Sequence, residues 1–361
     1  MAQNRTGVAD IALPVNYVLM RGMLRQARGV LPYFNGALPG TLERNGGSMS
    51  VKWERWDEIA VSTTALGEVG NPLAFGMGRS TAVPTLTPIT VATAKYGNAV
   101  AYTEELDLFQ VNARAAGFMT TLGRNAGQSL NQLMRDVFNT KGGLTAAQAD
   151  IYSGGTTRAT VDEVLDANDV RNAVNILNNA GAYPFEPMTT GSTNIGTAPI
   201  REAYLGIAHV DQETDIRALA GFQGVETYAS QTMTYVGEVG TALGVRWILT
   251  RFAPIETTNS GGAATAGLIQ TSSTNDIYSA FIYGQDAFGT VGLGESFAQE
   301  IYELGEMPPA VEIIQHAPGT SGVGDMYNEI GSIAWKAWFA GTALNSAWCV
   351  KVLSGATNVA A

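Results

Sequence analysis

The chain has 361 residues, a hydrophobic fraction of 45%, a charged fraction of 15% and a formal net charge of −11. This length allows one large domain or two modest ones with a substantial core. The low charged fraction indicates that partners cover part of the surface. The negative charge argues against a protein that grips nucleic acid over its whole surface. The single cysteine, Cys349, excludes a disulfide framework and a thiolate metal cluster.

The first residues, MAQNRTGVADIALP, lack the basic start and apolar core of a secretory signal. No apolar run approaches the roughly 20 residues that a membrane-spanning helix needs. We therefore expect a protein that stays inside the cell in which it is made and has no membrane partner.

Charge is distributed unevenly along the chain. Residues 1–55 carry seven bases and three acids, a net of +4, whereas residues 252–361 carry two bases and ten acids, a net of −8. Opposite charges of this kind would help subunits to associate head to tail. The alternative is an ordinary fluctuation along a folded chain.

The N-terminal region has the features of an arm. Residues 14–30 predict a short amphipathic helix, with Arg21, Arg25 and Arg28 on its polar side. A basic amphipathic helix can bind a membrane or nucleic acid, but packing on a neighbouring subunit is favoured. Residues 31–47 are rich in glycine and proline and predict a loop.

Two strand patterns flank a turn-rich stretch. Residues 48–59 alternate apolar and polar side chains, and residues 88–103 are rich in β-branched residues. Together they predict an extended hairpin. Leu73, Phe75 and Met77 lie in its tip, and an exposed apolar tip is more useful between subunits than on a lone monomer.

Residues 103–140 predict one long helix. Thr103, followed by Glu104 and Glu105, suits a capped N-terminus. At about 1.5 Å per residue, the helix would reach roughly 55 Å and act as a spine. Its apolar side chains recur at steps of three and four, as one buried stripe requires, at Leu106, Phe109, Ala113, Ala116, Met119, Leu122, Ala126, Leu130, Leu133 and Val137.

After this helix the pattern changes. Residues 161–180 predict a second helix, which Gly181 closes. From Pro199 onwards, the runs AYLGIAHV, VRWILTRFAPI, IYSAFIYG and AVEIIQHA predict short strands in a mixed α/β half. Residues 331–355 predict a helical or strand-like segment and a final strand over 347–353.

Three aromatic residues near the C-terminus suggest a buried surface. Trp335, Trp338 and Phe339 have the spacing i, i+3, i+4, which fits one face of a helix. Packing in the core is favoured over direct contact with another subunit.

The sequence contains no recognisable catalytic pattern. His209 and His316 lack the spacing of metal ligands, and phosphate-binding loops and nucleophile elbows are missing. Cys349 is expected to be a buried thiol on a strand. Glu295, Glu300, Glu303 and Glu306 form an acidic cluster, for which a solvated face is favoured over a metal site. We therefore expect no enzyme activity, no cofactor and no metal ion.

Four segments together resemble a known family: VATAKYGNAVAYTEE, GEVGTALGVRWILTRF, YSAFIYGQDAFGTV and GSIAWKAWFAGTALNSAWCVKV. They resemble the major capsid proteins of tailed bacteriophages with the Hong Kong 97-type fold, and most closely the branch typified by phage N-four. The resemblance spans most of the chain in the same order, and the pattern G-S-x-x-W-K-A-W-F is its most specific part.

The resemblance implies an α+β capsid fold divided into five parts. These are an N-terminal arm (1–47), an extended β-hairpin loop (48–102), a peripheral domain with the spine helix (103–198), an axial domain (199–330) and a C-terminal return to the peripheral domain (331–361). The residues expected to contact other subunits are Leu73, Phe75, Met77 and Arg79 in the loop and Arg21, Arg25 and Arg28 in the arm.

The resemblance also implies partners. Copies of the chain would form the hexamers and pentamers of an icosahedral shell, assembled in the bacterial cytoplasm, that encloses double-stranded DNA without reading its sequence. A scaffolding protein, a portal and a decoration protein are further possible partners. An encapsulin-type compartment, an α/β enzyme or ligand-binding protein, and a tail or adhesion protein are the alternatives.

Overall fold

A computed structural model describes residues 31–42, 49–57, 59, 61, 83–108, 114–143, 150–185, 201–228, 234–257, 262–293, 311–316, 318, 327 and 329–359. The α-helices in this part of the chain are α1 (Glu104–Leu108), α2 (Arg114–Thr140), α3 (Ala167–Asn179) and α4 (Glu213–Arg217). The strands are β1 (Leu38–Leu42), β2 (Ser50–Trp56), β3 (Leu86–Ala92), β4 (Ala94–Thr103), β5 (Ile151–Tyr152), β6 (Tyr204–His209), β7 (Gln223–Gly224), β8 (Glu238–Ala242), β9 (Val245–Thr250), β10 (Ile255–Glu256), β11 (Ile277–Tyr283), β12 (Phe288–Leu293), β13 (Val311–His316), β14 (Ile330–Ala343) and β15 (Cys349–Ser354).

The strands form three sheets. A five-stranded sheet has the order β1-β12-β14-β13, and β4 also pairs with β14. An eight-stranded sheet has the order β5-β15-β11-β6-β9-β8-β7, and β10 pairs with β11. The third sheet is the hairpin of β2 and β3. Most pairs are antiparallel, whereas β6 with β9, β1 with β12 and β5 with β15 are parallel.

The spine helix is present where its apolar period predicts it. Residues 109–113 lie outside the described part, so helical structure is described for α1 and for the 27 residues of α2, which span about 40 Å. The N-terminal boundary is confirmed, because β4 ends at Thr103 and α1 begins at Glu104. At the other end, Lys141 and Gly142 adopt left-handed backbone angles, which end the helix after Thr140 as predicted.

The buried stripe of α2 departs from the predicted one in its last turns. Met119, Leu122, Ala126 and Leu130 are buried as expected, and the stripe then continues through Met134 and Phe138. The predicted Leu133 and Val137 are half-buried and pack against the margin of the same core. A straight helix of 3.6 residues per turn shifts its buried face in this way over several turns.

The C-terminal aromatic segment is a strand, so the helical spacing proposed for it is wrong. In β14, Ile333, Trp335 and Phe339 alternate with more exposed residues and face the core. Trp338 lies on the opposite face and is only half-buried. Trp335 also contacts α2: its Nε1 donates a hydrogen bond of 3.1 Å to Oδ1 of Asn125 in that helix.

Three strands of the eight-stranded sheet are buried on both faces. The strands β6, β11 and β15 are buried along their whole length. On β11, Phe281 and Tyr283 belong to the core shared with α2, whereas Ala280 and Ile282 belong to a second core beneath α3 and α4. A strand with two buried faces has a continuous apolar sequence, as IYSAFIY does.

The helix predicted over residues 161–180 begins later than expected. Asp166 caps α3, since its side chain accepts hydrogen bonds of 2.8 Å from the backbone N–H groups of Asn168 and Asp169. The preceding Val164 instead forms an isolated bridge with Gly355. The predicted closure at Gly181 is confirmed, because this residue has a φ of +67° directly after the helix.

One aromatic side chain of α2 contacts both large sheets. The Phe138 ring stacks on Phe288 of β12 with 3.7 Å between centroids. Its ring centroid lies 5.8 Å from that of Phe281 and 5.0 Å from that of Tyr283, both on β11, and these pairs are T-shaped. Tyr33, from the end of the arm, lies at 5.3 Å. We call these five rings the aromatic junction.

No described helix is both long enough and apolar enough to span a membrane.

The aromatic junction generates a stability prediction. Replacing Phe138 by Ala should lower the free energy of unfolding of the unassembled subunit by about 3–5 kcal/mol, because it leaves a cavity among fully buried rings. The neighbouring Val137→Ala is the control and should cost less than half as much, since Val137 is half-buried. Urea unfolding followed by tryptophan fluorescence measures both, and equal costs would contradict the assigned role.

Candidate assembly surfaces

The residues predicted to contact other subunits lie outside the described part of the chain. They are Leu73, Phe75, Met77 and Arg79 in the stretch 62–82, and Arg21, Arg25 and Arg28 in the stretch 1–30. Their roles stay predictions. The described residues nearest to both stretches nevertheless show how the arm and the hairpin are attached.

The predicted hairpin is confirmed at its base. Strands β2 and β3 pair antiparallel from Ser50 with Ala92 to Trp56 with Leu86. The second predicted strand is divided at Thr93, because β4 leaves the hairpin and pairs with β14. The hairpin is thus directly continuous with the strand that lies along β14.

The hairpin is braced against the five-stranded sheet. The indole of Trp53 occupies space that side chains at Gly40 and Gly289 would fill, because a Cβ there would lie 2.6 Å and 3.1 Å from its Cζ2 atom. Arg55 Nη1 donates a hydrogen bond of 3.2 Å to the carbonyl oxygen of Leu344. These contacts fix the direction in which the hairpin leaves the sheet.

Apolar side chains are exposed where the hairpin extends away from this brace. Trp56 is 64% exposed, Val61 87% and Val83 82%, and Ile59 is also exposed. They lie on the two sides of the hairpin, just before and just after residues 62–82. We call these four residues the hairpin apolar patch. Exposed apolar groups clustered on a projecting element are typical of a surface that contacts another protein.

The arm is anchored within its described part, residues 31–42. Tyr33 is fully buried, and its backbone N–H donates to Asn131 Oδ1 of α2 at 3.4 Å. The Tyr283 hydroxyl donates to the carbonyl oxygen of Asn35 at 2.8 Å. The point at which residues 1–30 join the fold is therefore fixed to both α2 and β11.

A groove of about 830 Å³ lies beside this anchor. It is bounded by the end of the arm, α2, the turn after β6, the segment before β8 and the residues that follow β9. We call it the arginine groove; its lining includes Phe34, Arg124, Val210, Val236, Arg251 and Phe252. No sequence pattern predicts this groove, because its walls come from five separate stretches of the chain.

One wall of the arginine groove is held by a buried ion pair. Arg246 donates to both carboxylate oxygens of Glu238, at 2.9 Å and 2.7 Å, and both side chains are buried. Glu238 Oε2 also accepts a hydrogen bond of 3.0 Å from the backbone N–H of Tyr235. The Tyr235 ring centroid lies 4.6 Å from the guanidinium carbon of Arg246. These contacts fix the segment that includes Val236.

His209, which lacks the sequence spacing of a metal ligand, is buried and has a defined partner. His209 ends β6, and its Nδ1 accepts a hydrogen bond of 3.1 Å from the backbone N–H of Asp211. Burial lowers the pKa of His209, although the Asp211 carboxylate opposes this shift. An accepting Nδ1 in a buried ring is consistent with a neutral side chain that terminates the strand.

Cys349 is a buried thiol on a strand, as the sequence predicts. Burial raises the pKa of this thiol to about 12, so the thiolate that a nucleophile requires is disfavoured. Within the described residues, no group of three or more His, Cys, Asp or Glu side chains is placed to hold a metal ion.

Cys349 provides a direct test of this environment. At pH 8 the thiolate fraction should be about one in 10,000 in the folded protein, because the pKa exceeds the pH by roughly four units. A colorimetric disulfide reagent should therefore titrate no thiol in the native chain and the single thiol after unfolding in urea. Rapid reaction of the native chain would contradict the burial of Cys349.

Comparison of the sequence with known proteins finds no match to a protein-family model or to a curated protein. Comparison of the structure finds clear matches. The chain is similar to the capsid of Ralstonia phage GP4, with a TM-score of 0.58 at 9% sequence identity. This match covers 92% of the present chain and 93% of the other.

Two further solved structures agree. The cyanophage Pam1 capsid matches with a TM-score of 0.57 at 10% identity, over 99% of this chain and 96% of that one. The head structure of Helicobacter pylori bacteriophage KHP40 matches with a TM-score of 0.55 at 10% identity, over 91% of both chains. At such low sequence identity, the similarity across nearly the full length is a similarity of fold, that is, of the arrangement of helices and strands. The chain therefore has the fold of these bacteriophage capsid proteins, which confirms the Hong Kong 97-type α+β fold expected from the sequence.

Proposed function

We propose that this chain is the major capsid protein of a tailed, double-stranded DNA bacteriophage and that copies of it assemble into the icosahedral head. The observation that carries the proposal is the structural match over at least 91% of the chain to three bacteriophage capsid and head structures. The projecting hairpin with its apolar patch supports it, because such a surface is useful only when another molecule covers it.

The two large sheets correspond to the two domains of such a subunit in our proposal. The peripheral domain comprises α2 and the five-stranded sheet, and the axial domain comprises the eight-stranded sheet with α3 and α4. This division refines the ranges 103–198, 199–330 and 331–361, because β12 and β13 join β14 while β15 joins the eight-stranded sheet. Residues 48–92 then form the extended loop, and residues 1–47 form the arm.

Assembly in this proposal depends on surfaces that differ from one another. The hairpin of one subunit lies over the next, so that Trp56, Val61 and Val83 become buried together with the predicted tip residues. Because the donating and receiving surfaces are different, the contact is heterologous. A heterologous contact forms rings when its rotation closes, and in this proposal those rings are the hexamers and pentamers. Loss of solvent from several large apolar side chains provides the driving force.

The charge of the chain fits a container for DNA. A net charge of −11 disfavours tight, general binding to phosphate, so the proposed shell encloses the genome without reading it. A scaffolding protein, a portal and a decoration protein are proposed as further partners. The site of action is the virion, after assembly in the bacterial cytoplasm.

Electron microscopy of the expressed protein tests the proposal. The chain, produced together with its neighbouring genes, should yield closed polyhedral particles, because the contacts repeat around every subunit. Negative staining of the soluble fraction shows them, and analysis of their contents separates a DNA capsid from an encapsulin-type compartment with protein cargo. Small monomers under all of these conditions would contradict the shell.

The hairpin apolar patch gives a second test. The double variant Trp56→Ser and Val83→Ser should reduce the assembled fraction by about tenfold, since two exposed apolar side chains leave the subunit contact. The unfolding free energy of the subunit should change by about 0.5 kcal/mol or less per site. Val359→Ser, at a position that is 76% exposed but remote in sequence, is the control and should assemble normally. Sedimentation measures the assembled fraction.

A further inference from the structure

The arginine groove combines positive charge with exposed apolar surface. Its described lining includes Arg124 and Arg251 and no acidic residue. Neither guanidinium forms an ion pair with another described residue, and Arg251 lies with its guanidinium carbon 4.9 Å from the Phe252 ring centroid. Beside them, Val236 is 73% exposed and Val210 is 43% exposed. Such a surface is complementary to a segment that is both acidic and apolar.

The groove is suited to binding because its walls are already fixed. The ion pair of Arg246 with Glu238 holds the segment that carries Val236, and Tyr33 anchors the wall that carries Phe34. Arg124 projects from α2, whose opposite face is buried. A preformed site loses less conformational entropy when it is occupied. Its volume of about 830 Å³ is sufficient for several side chains.

The chain itself contains a segment with the required chemistry. Residues 294–310, between β12 and β13, contain four glutamates and no lysine, arginine or histidine. The glutamates are Glu295, Glu300, Glu303 and Glu306, and the apolar residues between them include Phe297, Ile301 and Leu304. The proposed function does not otherwise assign a role to this acidic cluster.

The other nearby candidate fits the groove less well. Residues 1–30 join the fold at Leu31, which lines the groove. They carry four arginines and one acid, Asp10, so their net charge is positive. Like charges would oppose their binding beside Arg124 and Arg251.

We propose that residues 294–310 of one subunit bind in the arginine groove of a neighbouring subunit. Glutamates pair with Arg124 and Arg251, and the apolar side chains of the segment cover Val210 and Val236. The inference rests on the proposed function, because it specifies a contact through which the subunits of the shell associate. The acidic C-terminal third of one chain then meets a basic surface of the next.

The segment leaves the fold at a distance from the chain's own groove. The segment begins after Leu293, which pairs with Leu42. The end of β1 nearer to the groove is Leu38, and Leu42 lies about 13 Å farther along this strand. Groove and segment are also different surfaces, as a contact that repeats around a ring requires.

Charge reversal tests the contact. The groove variant is Arg124→Glu with Arg251→Glu, and the segment variant is Glu300→Lys with Glu303→Lys. Each should lower the assembled fraction about tenfold, because like charges then face each other. A chain that carries all four substitutions should recover assembly to within about twofold of wild type.

A matched control removes general charge effects. Arg171→Glu with Arg201→Glu makes the same change in total charge at two exposed positions that do not line the groove. This variant should assemble to within about twofold of wild type. An equal loss in the control, or no recovery in the fourfold variant, would overturn the proposed pairing.

Co-expression decides whether the contact crosses subunits. Groove-variant and segment-variant chains with different tags should recover assembly together and co-purify, because the acidic groove of one accepts the basic segment of the other. Failure of the mixture, alongside recovery of the fourfold chain, would place the contact within one chain and overturn the inference. If the wild-type chain forms shells and the groove variant assembles equally well, this inference alone is overturned. If wild-type chains and their neighbouring gene products form no shell, both proposals fail.

Discussion

The relative placement of the two large sheets and the arm depends on the aromatic junction around Phe138. This ring stacks on Phe288 of the five-stranded sheet and meets Phe281 and Tyr283 of the eight-stranded sheet edge-on. Tyr33 brings the end of the arm to the same point. Rings that interlock in this geometry tolerate little displacement. One side chain near the end of the spine helix thus fixes two sheets and the arm relative to one another.

From this junction the interior is divided by the eight-stranded sheet. Because its central strands are buried on both faces, they are covered by α2 on one side and by α3 and α4 on the other. The surfaces left for contact are therefore those at the margins: the hairpin, the end of the arm and the arginine groove. A chain built in this way has a rigid body and several distinct edges, which fits the proposed association with copies of itself.

The buried polar groups that the structure describes serve the scaffold. The pair of Arg246 and Glu238 fixes a wall of the groove, and the buried His209 ends a strand. Burial raises the pKa of the Cys349 thiol and removes its reactivity. Each of these groups has an environment that stabilises one conformation.

The sequence alone determined the elements that local periodicity controls. The stripe of α2, the alternation in β2 and the apolar runs of β6, β9 and β11 depend only on residues a few positions apart, so they could be predicted. The helical prediction for the C-terminal aromatic segment was wrong because the spacing of Trp335, Trp338 and Phe339 fits one face of a helix. Only pairing with β4 and β13 makes that segment a strand. The arginine groove could not be predicted at all. Its walls come from stretches more than 200 residues apart, and they meet only because the cores on either side of β11 pack the helices and sheets together.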